Sequence, residues 1–216
     1  MTGVQTCALP IFIMPSKTSA LTGRQRVIVF GVLLIGSAIG LVASIVLSHE
    51  ALTIAKDSSK VLGCDLNAAM SCSSVAKHWS AHVVGGIPNS FVGMVAYPVF
   101  ITIAVAGLAR TRFPRWFMRA AEAGGWMSLG FAGWMFYMSY IVIGALCPWC
   151  LATDAAVLLV LFALIRHNVL TGNPMISTKL APSKKCVQQN YDVVVFVAIA
   201  VVICALILLK YGDKLV

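Results

Sequence analysis

Residues 145–154 read ALCPWCLATD, two cysteines three positions apart around Pro148 and Trp149 at the junction of two long apolar runs. The run before them, 123–146, has no charged residue, and the run after them, 150–165, has only Asp154. Working outward, 60% of the chain is hydrophobic and 11% charged, against about 45–50% and about 25% for a soluble domain. Five apolar stretches, near Arg26 to Leu47, Val83 to Ala109, Ala123 to Leu146, Cys150 to Ile165 and Tyr191 to Leu209, approach the roughly 20 residues a helix needs to cross a hydrocarbon core of about 30 Å. They are continuous rather than alternating, and lipid offers the backbone no hydrogen-bond partner, so each is read as a helix and not a barrel strand. The fourth is the shortest and spans only if its helix begins at or before Cys147. The expected fold is an all-α integral membrane protein, a bundle of four transmembrane helices with a fifth, C-terminal one.

A net charge of +9 raises the question of a nucleic-acid partner, and the distribution of charge answers it. Lys17, Arg24 and Arg26 precede the first span, Arg110, Arg112, Arg115 and Arg119 fill the second connection, and Arg166, Lys179, Lys184 and Lys185 lie in or beside the fourth. The opposite side holds Lys56, Lys60, Lys77, Lys210 and Lys214 together with Glu50, Asp57, Asp65 and Asp213. By the positive-inside rule the N-terminus is cytoplasmic and the C-terminus outside. The basic excess is topology, and no nucleic-acid partner is expected. Trp79, Trp116, Trp126 and Trp149 fall near the span ends, where indole rings anchor at the interface.

The leader MTGVQTCALPIF lacks a positive n-region and is too short for a signal peptide. It resembles a translated sequencing-library adapter, which sets aside residues 1–13 with Cys7 and puts the natural start at or near Met14. The core is then 14–166, a polar cytoplasmic connection occupies 167–190, and 191–216 holds the fifth helix and tail.

Six cysteines remain, and topology sorts them. Cys64 and Cys72 fall in the first connection and Cys147 and Cys150 at the outer end of the fourth helix, all on one face. Cys186 lies in the cytoplasmic connection and Cys204 inside the fifth span. The four that share a face share an oxidising compartment, where disulfides form and persist. Proline is favoured at the first helical position, so Pro148 there makes Cys147 the cap. The helix N-terminus, with its free N–H groups, favours thiolate over thiol, and the three-residue spacing puts both sulfurs on one face. Cys147 is expected nearer the water and Cys150 a turn deeper, facing the bundle interior. The segment around CDLNAAMSC (64–72) mixes polar and small residues and is expected to be a mobile, wetted surface loop, with His78 and His82 on its surface. Thiol–disulfide exchange runs through mixed disulfides, so a wetted pair and a membrane-edge pair together make an electron relay.

Three bland readings stand beside the relay. The four cysteines could form inert structural disulfides in a transporter or scaffold. They could hold zinc, although this spacing is unusual for such a site, and no metal is expected. Asn89 could simply be a helix-start residue. Asp154, a carboxyl within a span, must face the bundle interior or the interface, where it serves as a polar contact or proton source. Gly36 and Gly40 are read as a close-packing pair.

CDLNAAMSCSSV (64–75), GIPNSFVGMVAYP (86–98) and CPWC (147–150) together resemble the vitamin K epoxide reductase family in its bacterial disulfide-forming branch, over about residues 26 to 166. The resemblance implies a four-helix bundle around a quinone, menaquinone or ubiquinone. Cys64 would exchange with a separate thioredoxin-fold, DsbA-like partner on the outer face of the plasma membrane, and Cys72 would pass electrons to Cys147 through a transient disulfide. Cys150 would face the quinone, and Asn89, in the first turn of a helix started by Pro88, would hydrogen-bond its carbonyl. The same resemblance leaves reduction of vitamin K epoxide or quinone proper as the alternative. The sequence departs from relatives at three points. Asp154 stands where animal members carry a tyrosine, and His78 replaces a hydroxyl residue for which Ser80 is the nearest substitute. The thioredoxin domain that follows the fifth helix in many bacterial members is not in this sequence.

Overall fold

The computed structural model describes residues 21–65, 67, 69–83, 85–175, 187 and 189–215, with side chains to 211. Cys7, Met14, Lys17, Lys179, Lys184, Lys185 and Cys186 lie outside the described residues. The order is α1 (Gly23–Lys56), α2 (Cys72–Lys77), a 3₁₀ turn (Trp79–His82), α3 (Ser90–Leu108), α4 (Arg115–Tyr137) running into a π-helical segment (Met138–Ile143), α5 (Pro148–Leu170) and α6 (Tyr191–Leu215). Five of these helices are long and apolar enough to cross a membrane. The chain is a multi-pass membrane protein of the expected class.

The helix limits follow from local chemistry. A capping box starts α1: Thr22 Oγ1 accepts from the Gln25 N–H at 3.3 Å, and Gln25 Oε1 accepts from the Thr22 N–H at 3.1 Å. The helix then runs past the expected Leu47 to Lys56, which puts His49 and Glu50 on the last turns of a continuous helix. The third helix starts at Ser90 rather than near Val83, because Gly85 and Gly86 hold φ of +61° and +78°, left-handed values that interrupt a helix. On α5, Pro148 takes the first helical position and Cys147 caps it, as its sequence requires.

α1 packs along α3 and α5, and α4 packs on α5. Phe30 and Leu33 meet Phe100, Ile103, Met118 and Leu164 in the main core. Lipid tails are as apolar as these side chains, so close approach rather than water exclusion holds such helices together. Gly36 and Gly40 allow that approach to two neighbours at once. A Cβ on Gly36 would lie 2.8 Å from Leu159 Cβ of α5, and one on Gly40 would enter the Tyr97 ring of α3.

Polar groups tie the bundle at the end away from the cysteines. Asn168 Nδ2 donates to the Met118 carbonyl at 2.9 Å and to Glu122 Oε2 at 2.6 Å, joining α5 to α4. Glu122 is buried, and Trp126 Nε1 donates to its other oxygen. Nothing in the sequence reading singled this pair out. The outlying α6 exposes most of its apolar surface and is fastened at both ends. Arg166 donates to Asp192 Oδ2 at 2.6 Å and to Asn190 Oδ1 at 2.7 Å. At the cysteine end, Lys210 Nζ and Tyr211 Oη donate to the Tyr140 carbonyl, one of the last carbonyls of its helix, which lack an intrahelical partner.

Candidate redox site

The site forms where the α1–α2 connection folds back over the N-terminus of α5. After the π-helical segment, Gly144 takes φ +72° and turns the chain. Leu146 N–H then donates to the Ala69 carbonyl at 2.8 Å, and Ser71 N–H donates to the Leu146 carbonyl at 2.9 Å. This short parallel bridge, Met70 beside Leu146, sets the segment before Cys72 against the segment before Cys147.

Cys64 and Cys72 are joined in a disulfide, and Cys147 and Cys150 are free. The Sγ atoms of Cys147 and Cys72 lie 3.2 Å apart. The Cys150 N–H points at Cys147 Sγ from 3.4 Å, the cap bond of α5, and such a bond favours the thiolate. All four cysteines meet in one apolar cluster with Leu62, Val75 and Trp149.

This burial corrects the picture of a wetted loop pair above a membrane-edge pair. Cys64 and Cys72 are 8% and 1% exposed, and Cys147, expected nearer the water, is 1% exposed. The half-buried one is Cys150. The bridge and the apolar cluster draw the loop down onto α5, so the contrast between the pairs lies in position, not wetness.

Asp65 fixes the loop from within. Its carboxylate accepts from the Leu62 N–H, the Ser73 N–H and the Ser71 hydroxyl, each at 2.9 Å. Partial burial works to raise its pKa, but the backbone bonds from Ser73 and Leu62 and the serine hydroxyls prevail and hold it at about 2. Glu50, at the end of α1, places Oε1 3.0 Å from Cys64 Sγ.

A cavity of about 440 Å³ opens beneath the cysteines between α1, α3, α4 and α5. Cys72, Cys147 and Cys150 reach its wall, as do Asn89 and Asp154, and apolar residues such as Phe100 and Phe131 make up most of the rest. His82, half-buried, also lines it. Asn89 stands just before α3, its Oδ1 accepting from the Val83 N–H at 3.1 Å and its Nδ2 donating to the Ser80 carbonyl at 2.7 Å. Among the described residues, Met135 Sδ, at 3.8 Å, is the weak acceptor for the second Nδ2 hydrogen. His78 Nδ1 and Ser80 Oγ lie 2.8 Å apart and form one hydrogen-bonded unit.

Among the described residues, Glu50, Cys64 and Cys72 are the group whose metal-ligand-type atoms converge. Their two sulfurs bond each other, so the set offers no thiolate for a metal in this state. Cys204 lies exposed on α6.

A comparison with curated protein sequences returns no match. The model of the vitamin K epoxide reductase family matches residues 31–165, a span that includes all four clustered cysteines, Asn89 and Asp154. The four-helix bundle, the loop disulfide and the thiol pair on α5 are thus parts of one family unit, and the chain belongs to the vitamin K epoxide reductase family of membrane oxidoreductases.

Proposed function

We propose that the protein is a thiol–disulfide oxidoreductase that reoxidises a separate thioredoxin-fold, DsbA-like partner and delivers the electrons to a membrane quinone, supporting disulfide formation in exported proteins. The observation that carries this reading is the 3.2 Å contact between Cys147 Sγ and Cys72 Sγ, which joins a disulfide to a thiol pair above an apolar cavity.

The four sulfurs support a balanced sequence. With both loop cysteines reduced and Cys147–Cys150 oxidised, the Cys72 thiolate attacks Cys147 Sγ, and Cys150 leaves as thiolate. Cys64 then attacks Cys72 Sγ, the Cys72–Cys147 bond breaks, and Cys147 leaves as a thiolate held by the Cys150 N–H. Two electrons have moved from the loop pair to the α5 pair, which matches the bonding seen here. The partner's dithiol reduces Cys64–Cys72 again by the same exchange.

The cavity fits a quinone ring in size and chemistry. Sites for such ligands are mostly apolar, with a few placed polar groups, and span about 300–1,000 Å³. Here the polar groups include Asn89, the Asp154 carboxyl and Cys150, with His82 and Tyr97 also on the lining. A bound quinone supplies a two-electron, two-proton acceptor. Asn89 would orient a carbonyl oxygen, Cys150 would stand at the cavity wall, and Asp154, one turn along α5, would carry a proton.

The test is purified protein in lipid, given a reduced thioredoxin-fold dithiol protein and a quinone. Oxidised partner and reduced quinone should form in equal amounts, and serine at Cys64, Cys72, Cys147 or Cys150 should abolish both. Persistence of activity in all four variants with lowered thermal stability would instead make the cysteines structural. Turnover of vitamin K epoxide in place of thiol-driven quinone reduction would favour the epoxide reductase reading.

A further inference from the structure

We infer that Glu50 is the proton carrier for Cys64. This deepens the proposed thiol relay and rests on it. Glu50 lies near the C-terminal end of α1, on the part of the helix that extends over the loop, and its Oε1 is 3.0 Å from Cys64 Sγ. In the disulfide that sulfur has no hydrogen to give, so the contact is a hydrogen bond only when the carboxyl holds the proton. The other oxygen, Oε2, is buried without a hydrogen-bond partner among the described residues. An ionised carboxylate with a buried, unpartnered oxygen is costly, whereas a neutral acid is much less so. Geometry and desolvation therefore agree on an acid facing the sulfur of the oxidised pair.

Followed through the cycle, the contact does chemical work in both directions. When the partner's second thiol resolves the mixed disulfide on Cys64, the partner's own S–S bond forms and Cys64 is expelled as a thiolate. The Glu50 acid then gives its proton to that sulfur, leaving Cys64 thiol and Glu50 carboxylate. When Cys64 later attacks Cys72 Sγ and displaces Cys147, its S–H proton returns to the Glu50 carboxylate as the Cys64–Cys72 bond forms. Electrons pass only between sulfurs, and one proton shuttles between Glu50 and Cys64. The ionisable groups facing Glu50 are Asp65 from the loop and Cys147 and Cys150 from the N-terminus of α5. None of the three is placed within hydrogen-bond reach of Cys64 Sγ, the position Oε1 holds.

The test separates this inference from the relay itself. Alkylation of Cys64 is followed against pH, by mass of its peptide, in Cys72→Ser protein with Glu50 or with Glu50→Gln. A carboxyl sharing a proton with the thiol titrates in coupled steps, so the pH midpoint of alkylation should lie at least about one unit higher with Glu50 than with the glutamine, a like charge opposing the thiolate. In otherwise unchanged protein, Glu50→Gln should slow partner-thiol oxidation about 100-fold, in the range of general acid–base catalysis, and Glu50→Asp should restore most of it. Cross-linking of Cys72 to Cys147 in the glutamine variant verifies that the site is still assembled. Equal alkylation midpoints overturn the assignment, whether or not the protein oxidises a partner. Unequal midpoints with no thiol oxidation even by the unmutated protein uphold the Glu50–Cys64 proton pair and reject the relay.

Discussion

Cys147 Sγ sits 3.2 Å from Cys72 Sγ, although the two residues belong to different elements, which the Met70–Leu146 bridge sets side by side. Each cysteine lies directly beyond a bridge hydrogen bond, so sulfur contact is a consequence of backbone pairing rather than of flexible side chains. Protein with Cys64→Ser and Cys150→Ser retains this pair as its near neighbours. It should form the Cys72–Cys147 disulfide under mild oxidant, seen as a cross-linked peptide by mass. The complementary variant, Cys72→Ser with Cys147→Ser, should yield much less Cys64–Cys150 product. Equal yields would mean that the loop roams freely.

Asn89 holds the 3₁₀ turn to the start of α3 with its oxygen and one N–H, and its Nδ2 has a weak further acceptor, Met135 Sδ at 3.8 Å, on the cavity wall. Asn89→Ala removes two protein hydrogen bonds, worth about 1–3 kcal/mol together, and should lower thermal stability. If the second N–H binds the electron acceptor, the same change should raise the quinone KM about tenfold, the equivalent of about 1.4 kcal/mol. A fall in stability with an unchanged KM would assign Asn89 to the turn alone. Quinone titration and a thermal melt on the same sample distinguish the two.

What could be read in advance was whatever depends on local pattern. Helix count, helix type and the cap at Cys147 follow from apolar run length and from one proline, and the shared face of four cysteines follows from counting spans. The burial of Cys64 and Cys72 was not legible, because it depends on a two-bond bridge at 69–71 and 146 that has no periodicity to betray it. Glu50 was hidden for a related reason. No stop signal separates it from the apolar run, and its approach to Cys64 appears only once α1 is seen to continue to Lys56. Glu122 and Asn168 are 46 residues apart in sequence, and only the packing of α4 on α5 makes them partners.

Asp65 makes the loop's order dependent on acid in a defined window. Its folded pKa of about 2 lies below the ordinary value of 3.8, so its contribution is complete above about pH 4 and is lost as pH falls through 2. In Glu50→Gln protein, where the carboxyl beside Cys64 no longer titrates, the rate at which a small thiol reagent reduces the Cys64–Cys72 bond, corrected for reagent ionisation, should therefore stay level from pH 7 down to about 4 and rise below that. Asp65→Asn removes one acceptor from a set of charge-assisted bonds, each worth about 1.5–3 kcal/mol. It should speed reduction about tenfold or more at neutral pH and remove the acid dependence. An unaltered rate in the asparagine variant would show that the apolar cluster alone holds the loop.

The attachment of α6 depends on charge more than on packing, since most of the helix faces outward while Arg166 and Asp192 are 9% and 5% exposed as side chains. Removing one member of a buried pair strands the other, at a cost of about 3–5 kcal/mol. Asp192→Ala leaves the Arg166 guanidinium with Asn190 as its remaining named polar partner. Changing Arg166 and Asp192 together to Met and Leu removes both charges and should restore much of the loss, because an apolar pair of similar volume is often no less stable. The measurement is detergent-dependent unfolding of the three proteins, with Cys72–Cys147 cross-linking as a check on the core. Asp192→Ala should unfold at lower denaturant while its cross-linking matches the unmutated protein. If the single and double variants unfold alike, the ion pair contributes no more than its side-chain volume, and the Lys210 and Tyr211 contacts to the Tyr140 carbonyl carry the docking instead.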